Sequence, residues 1–146
     1  MNGHQSLKDL STELGRLADH VLTEEKSLLG GYLEHMLTFI ISRLVLLTPG
    51  LEVDPDSLII AEDRITDAER EFIRGNPVKA LSHALRGLER SPHHPVLWFH
   101  VGSACAALDI VHCAMRAFVH ASWIHPGYEE PKRAFGALMA CYYGDP

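Results

Sequence analysis

Pro95 to Tyr128 reads PVLWFHVGSACAALDIVHCAMRAFVHASWIHPGY, and this stretch decides the fold. It has the pattern of one helix-turn-helix unit, with Trp98, Val101, Gly102, Ala114, Phe118, Ala121 and Pro126 at fixed offsets. Two helices of a hairpin approach closely, so their crossing points need Gly or Ala, and a proline ends the second helix. If the unit repeats, the small residues and the proline should recur at a fixed translation. Moved back by about 34 residues, Gly102 falls on Ala68, Ala114 on Ala80, Phe118 on Ala84, Ala121 on Gly87 and Pro126 on Pro92. Moved forward, Val101 falls on Phe135 and Gly102 on Gly136.

These positions resemble the tetratricopeptide repeat family. The resemblance implies an all-α fold of about two and a half helical hairpins. They run from Ala61 to His94, from Pro95 to Tyr128, and from Glu129 onward with a first helix alone. It covers a little over half the chain and departs from the family pattern at Arg64 and Lys132, where a Trp like Trp98 is common. A narrower likeness lies in WFHVGSACAAL (Trp98 to Leu108) and EPKRAFGALMACYYGD (Glu130 to Asp145), which look like segments of the class II type III secretion chaperones. Those bacterial cytosolic proteins hold hydrophobic translocator proteins before export. The incomplete third hairpin and the leucine-rich N-terminal region depart from that pattern.

Residues 1–54 form an N-terminal helical region, for dimerisation or partner docking, ahead of a repeat domain over residues 55–146. Leu7, Leu10, Leu14, Leu17, Val21 and Leu28 follow an a/d spacing from Ser6 to about Leu29, with Ser6 as the expected N-terminal cap. Gly30-Gly31 predicts a break. A second helix then carries Tyr32, Leu33, Met36, Leu37, Ile40, Ile41, Leu44 and Leu47 to a stop at Thr48-Pro49-Gly50. Its apolar face is broad, which predicts cover on more than one side. Asp54-Pro55 and Asn76-Pro77 each place a capping side chain before a proline in the first turn. No long stretch alternates with period two, so no strand is expected.

The first helices of stacked hairpins line a concave surface. The family's groove positions, carried over by the resemblance, are Ile65, Glu69 and Phe72, then Val96, Phe99, Ser103 and Ala106, then Arg133 and Ala137. One branch of the family grips a peptide carboxylate with cations at such positions. Only Arg133 fits that chemistry here, and the glutamates oppose it. The groove instead reads as apolar, with Phe72 and Phe99 as anchors, suited to an extended apolar segment or an amphipathic helix. Ile65, Phe72 and Phe99 also fit inter-repeat core. The last helix is apolar on most sides, so Phe135, Leu138, Met139 and Tyr142 require a cover. A homodimer or an obligate complex with another protein is expected.

The other function classes lose ground on composition. The 146 residues carry a formal net charge of -6 and a pI near 5.9, so a nucleic-acid partner has no electrostatic footprint. Three cysteines, Cys105, Cys113 and Cys141, favour reduced thiols in the cytoplasm over a disulfide framework. Cys105 and Cys141 fall on small apolar helix positions. Leu28 to Leu47 is interrupted by Gly30, Gly31, Glu34, His35 and Arg43, which predicts a packed helix and no membrane span. Ten histidines invite a metal, yet no HExxH, paired CxxC or tight His/Cys spacing is present. His93-His94 and His125 are placed to approach in adjacent turns, while His100, His112 and His120 are expected on helix surfaces or as satisfied polar groups. No catalytic elbow or phosphate loop is found, so no metal, no cofactor and no enzyme activity are expected. The sequence reads as an adaptor or chaperone that masks an apolar segment of a partner. The runner-up is a scaffold subunit docked through its N-terminal heptads.

Overall fold

The computed structural model describes residues 3–47 and 55–144. Among them the chain is all-α, with seven helices and no strand. They are α1 (Gly3–Thr23), α2 (Lys26–Leu47), α3 (Pro55–Ile73), α4 (Pro77–Arg90), α5 (Pro95–Ala107), α6 (Val111–Ile124) and α7 (Glu129–Tyr143). α3 pairs with α4 and α5 with α6, each as an antiparallel hairpin, and α7 lies against α6. α3, α5 and α7 touch in that order along one side of the stack. α1 packs on α4 and α2 on α6, so the N-terminal pair covers the second helices of the two hairpins.

The glycines at the crossing points explain why the hairpins close. A Cβ on Gly102 would lie 2.4 Å from the Phe118 ring, and one on Gly87 would lie 2.8 Å from Leu97. α5 turns into α6 through Asp109, whose φ of 64° is a left-handed conformation that Asp tolerates better than most residues. Gly75, with φ 82°, closes α3 in the same region. α4 is wedged between α3 and α1, which is why Ala80, Leu81, Ala84, Leu85 and Leu88 are all buried. Across that seam Ser82 donates a hydrogen bond of 2.7 Å to the Ala18 carbonyl, and Arg86 pairs with Asp19. The α1 leucines Leu14 and Leu17 are fully buried there, each contributing roughly 1.5–3 kcal/mol by leaving water.

Several local expectations are corrected. Ser6 lies inside α1, which already begins at Gly3. The break between the first two helices falls at Glu24-Glu25, and Gly30-Gly31 continues α2 as regular helix. The Glu24 N–H bonds back to His20, while the Glu25 carbonyl takes the N–H groups of Leu28 and Leu29, so one helix closes and the next opens there. This break shifts the phase of the apolar stripe. Leu29 is buried and Leu28, the expected heptad position, faces out.

α2 is also covered on fewer sides than its composition predicts. One stripe, Leu29, Leu33, Leu37, Ile40 and Leu44, is buried, while Leu28, Phe39, Val45 and Leu46 are exposed. Among the described residues Ser27–Leu47 is long and apolar enough, by length and composition, to cross a membrane. α3 and α4 start at Pro55 and Pro77 as their prolines demand. Asn76, however, donates its side chain to Glu71 at 2.9 Å and makes no side-chain cap. Thr48-Pro49-Gly50 and Asp54 lie outside the described residues.

Candidate functional site

α3, α5 and α7 form one surface on which neither N-terminal helix packs to any extent. Its chemistry changes along its length. Ile65, Phe99 and Ala106 are half-buried against the core, so they are as much wall as lining. Phe99 sits in a ring cluster, 5.7 Å from Phe118 and 5.8 Å from Tyr128. Val96 and Ser103 are half-buried beside it on α5. Phe72 is 43% exposed and Ile73 84% exposed, which leaves two large apolar side chains at the end of α3 facing water. Glu69, Arg133 and Ala137 are exposed. Of the two aromatic side chains expected as anchors, Phe72 is thus free and Phe99 embedded.

The acidic groups of this face act on the rings of α5 and its flanks. A Glu69 carboxylate oxygen is 3.5 Å from Nε2 of His100. Burial pushes the His100 imidazole below its ordinary range, and the opposing pull of Glu69 and Glu130 is smaller. Tyr128 is pushed up to about 12 by burial, with Glu130 and Glu69 adding to the shift. His94 is likewise lowered by burial, with Glu62 acting against it. Acids of both α3 and α7 thus act on a largely neutral His100 of α5.

A second uncovered apolar surface was not singled out from the sequence. Ile41 and Val45 of α2 face Met115, Val119 and Trp123 of α6 across a groove, with Trp123 47% exposed. On the other flank of α2, Phe39 and Leu46 line a groove against α1, and Arg43 lies over the Phe39 ring at 5.4 Å. Val119 and Trp123 stand one helical turn apart, a spacing that could be read as a face. Nothing in the sequence said whether that face was covered.

The histidines resolve into different roles from those expected. His112 and His125 are exposed, and the ring beside His125 is Tyr128 rather than His93. His120, expected at a surface or satisfied, is buried with no hydrogen-bond partner for its Nε2. Its ring lies edge-on to Trp98 at 4.9 Å and stacked on Trp123 at 5.7 Å, with His93 at 6.3 Å. Burial, helped by His93, lowers its pKa to about 4, so it is neutral at pH 7. No group of three His, Cys, Asp or Glu side chains suited to a metal occurs among the described residues.

The thiols differ as well. Cys105 and Cys113 are buried and their pKa values raised, Cys113 to about 12 by burial and then Glu34. Cys141, expected as a modest hydrophobe on a small apolar helix position, is exposed. On the same helix Phe135 and Leu138 are half-buried against the core, while Met139, Tyr142 and Tyr143 are exposed. Among the described residues, Gly136, the positional counterpart of Gly102, has no atom beyond its own helix backbone and chain neighbours within 4 Å of where a Cβ would stand.

No protein-family model, no curated protein and no solved structure matches this chain.

Proposed function

We propose that this chain is a protein-binding adaptor or chaperone of the tetratricopeptide-repeat kind, which holds an apolar segment or amphipathic helix of a partner against the α3–α5–α7 face. The observation that carries the reading is the placement of the N-terminal helices. They pack on α4 and α6 and leave the first-helix side open, with Phe72 and Ile73 facing water. Adjacent large apolar side chains left facing water beside a polar rim commonly mark an interaction site. In its narrower form, supported by the likeness of Trp98 to Leu108 and of the α7 segment, the partner is a hydrophobic type III secretion substrate held in the cytoplasm.

Phe72 is the residue to test, because Phe99 is wedged between Phe118 and Tyr128 and its loss would disturb the fold. Phe72→Glu should abolish capture of the partner identified by mass spectrometry of the complex from the native host, with the thermal melting curve unchanged. Retained capture would refute the groove.

A second reading, a scaffold subunit of a larger assembly, is favoured by the α2/α6 groove with its exposed Val45, Val119 and Trp123. It predicts a stable complex that Trp123→Glu disrupts and Phe72→Glu does not.

A further inference from the structure

Within α3 the carboxylates divide by face. Asp67 is paired with Arg70 at 2.9 Å and lies within 4.0 Å of Arg64, while Glu71 lies 3.6 Å from Arg74 and accepts from Asn76. Arg64 also donates to His83 of α4 at 3.0 Å, so the arginines of α3 are engaged on its flank. Among the described residues, Glu62 and Glu69 on the open side have no Arg or Lys within ion-pairing distance, nor has Glu130 on α7. Glu69's partner is His100, which burial keeps largely neutral near pH 7 and so supplies little counter-charge. Arg133 is the opposing cation on α7 and lies one turn from Glu130 without pairing with it.

The face therefore has apolar anchors, Phe72 and the half-buried Phe99, bracketed by carboxylates without cationic partners. From this complementarity we propose that the segment held on the α3–α5–α7 face is an amphipathic one whose apolar side chains are flanked by Lys or Arg, with its cations meeting Glu69 and Glu130. The inference rests on the groove reading and adds the partner's charge to it. Opposite charges across an interface act mainly on encounter rate and selectivity, and salt weakens them. A carboxylate-ended or acidic segment is disfavoured by the same glutamates.

The test uses the full chain and three synthetic peptides of about 16 residues, each spanning roughly 24 Å as a helix, enough to cross three helices packed about 10 Å apart. They share one Leu/Phe face and carry Lys, Gln or Glu along its edges. Fluorescence anisotropy should show the Lys peptide binding about tenfold more tightly than the Glu peptide at low salt, with the gap closing toward unity in about 0.5 M NaCl. Glu69→Gln combined with Glu130→Gln should remove the same gap. Both positions are exposed, so far-UV circular dichroism should show the fold intact. Equal binding of all three peptides, lost in Phe72→Glu, overturns the charge inference and leaves the groove standing. Binding of none, or binding indifferent to Phe72→Glu, overturns both.

Discussion

Gly102 and Gly136 occupy equivalent places on α5 and α7, and alanine at the two should have opposite effects. At Gly102 the new Cβ would stand 2.4 Å from the Phe118 ring, whereas an ordinary carbon contact is about 3.5–4.0 Å. The ring would have to retreat by more than about 1 Å to restore that contact. Phe118 is buried and packs against Phe99, so it has no free volume to enter. Overpacking costs about 1–3 kcal/mol, and with two Phe118 ring atoms at 2.4 and 2.5 Å this site belongs in the upper part, about 2–3 kcal/mol, while replacing a mid-helix glycine returns about 1 kcal/mol. Gly102→Ala should therefore lose about 1–2 kcal/mol. Gly136→Ala meets nothing within 4 Å, keeps the helix-propensity gain and should be stabilised by up to about 1 kcal/mol.

For a domain of this size the two melting temperatures should then separate by roughly 4–9 °C. Circular dichroism melts, paired with urea titrations to check that the m-value is unchanged, measure the difference. Phe118→Leu in the Gly102→Ala background should recover part of the loss, since a smaller side chain makes room for the Cβ. If Gly102→Ala is as stable as the parent, the tight α5/α6 crossing is refuted. If Gly136→Ala is destabilised instead, something covers that side of α7 in solution.

Two further predictions concern titration and thiol chemistry. His120 has a folded-state pKa of about 4 against 6.5 for the free side chain, so the unfolded chain takes up the proton more readily. Stability should be full above about pH 6.5 and fall as the pH drops toward 4, by on the order of 3 kcal/mol for this residue. Urea titrations from pH 7.5 to 4.5 should show that fall, and His120→Gln should make it shallower, leaving the part due to half-buried histidines such as His94 and His100; an unchanged slope would remove His120 as a cause. With a thiol reagent at pH 8, Cys141 alone should label in the native protein, with Cys105 and Cys113 reacting after denaturation. Rapid labelling of Cys113 would contradict its burial.

The hairpins were legible because close crossing of two helices restricts a few positions to small residues, and Gly87, Ala114 and Ala121 carry that restriction openly. Pro77 and Pro95 likewise mark helix starts through backbone geometry alone. The α1/α2 break at Glu24-Glu25 has no glycine or proline to announce it, while Gly30-Gly31, for all its backbone freedom, stays helical. A local signal states what a residue permits, and packing of Leu29 and Leu33 against the core decides what it does. Which side of the stack α1 and α2 cover was equally illegible, because the leucine spacing of α1 fits any apolar neighbour. The Ser82–Ala18 bond and the Arg86–Asp19 pair that fix α1 on α4 join residues far apart in the sequence. On the candidate site, the exposure of Phe72 follows from its place at the end of α3. The embedding of Phe99 depends on Phe118 and Tyr128, which arrive from elsewhere in the chain.

The His120 ring, held between Trp98 and Trp123, gives the protein two optical reporters with separate fields of view. Trp98 is fully enclosed and its indole N–H donates to the Pro92 carbonyl at 2.8 Å, so its emission is that of the interior. Trp123 looks outward across the α2/α6 groove and senses whatever arrives there. A ligand on the α3–α5–α7 face would leave Trp123 in the same solvent, while a subunit docking on α2 would shift its emission to the blue. The natural chain thus distinguishes its two open faces by colour, without a dye.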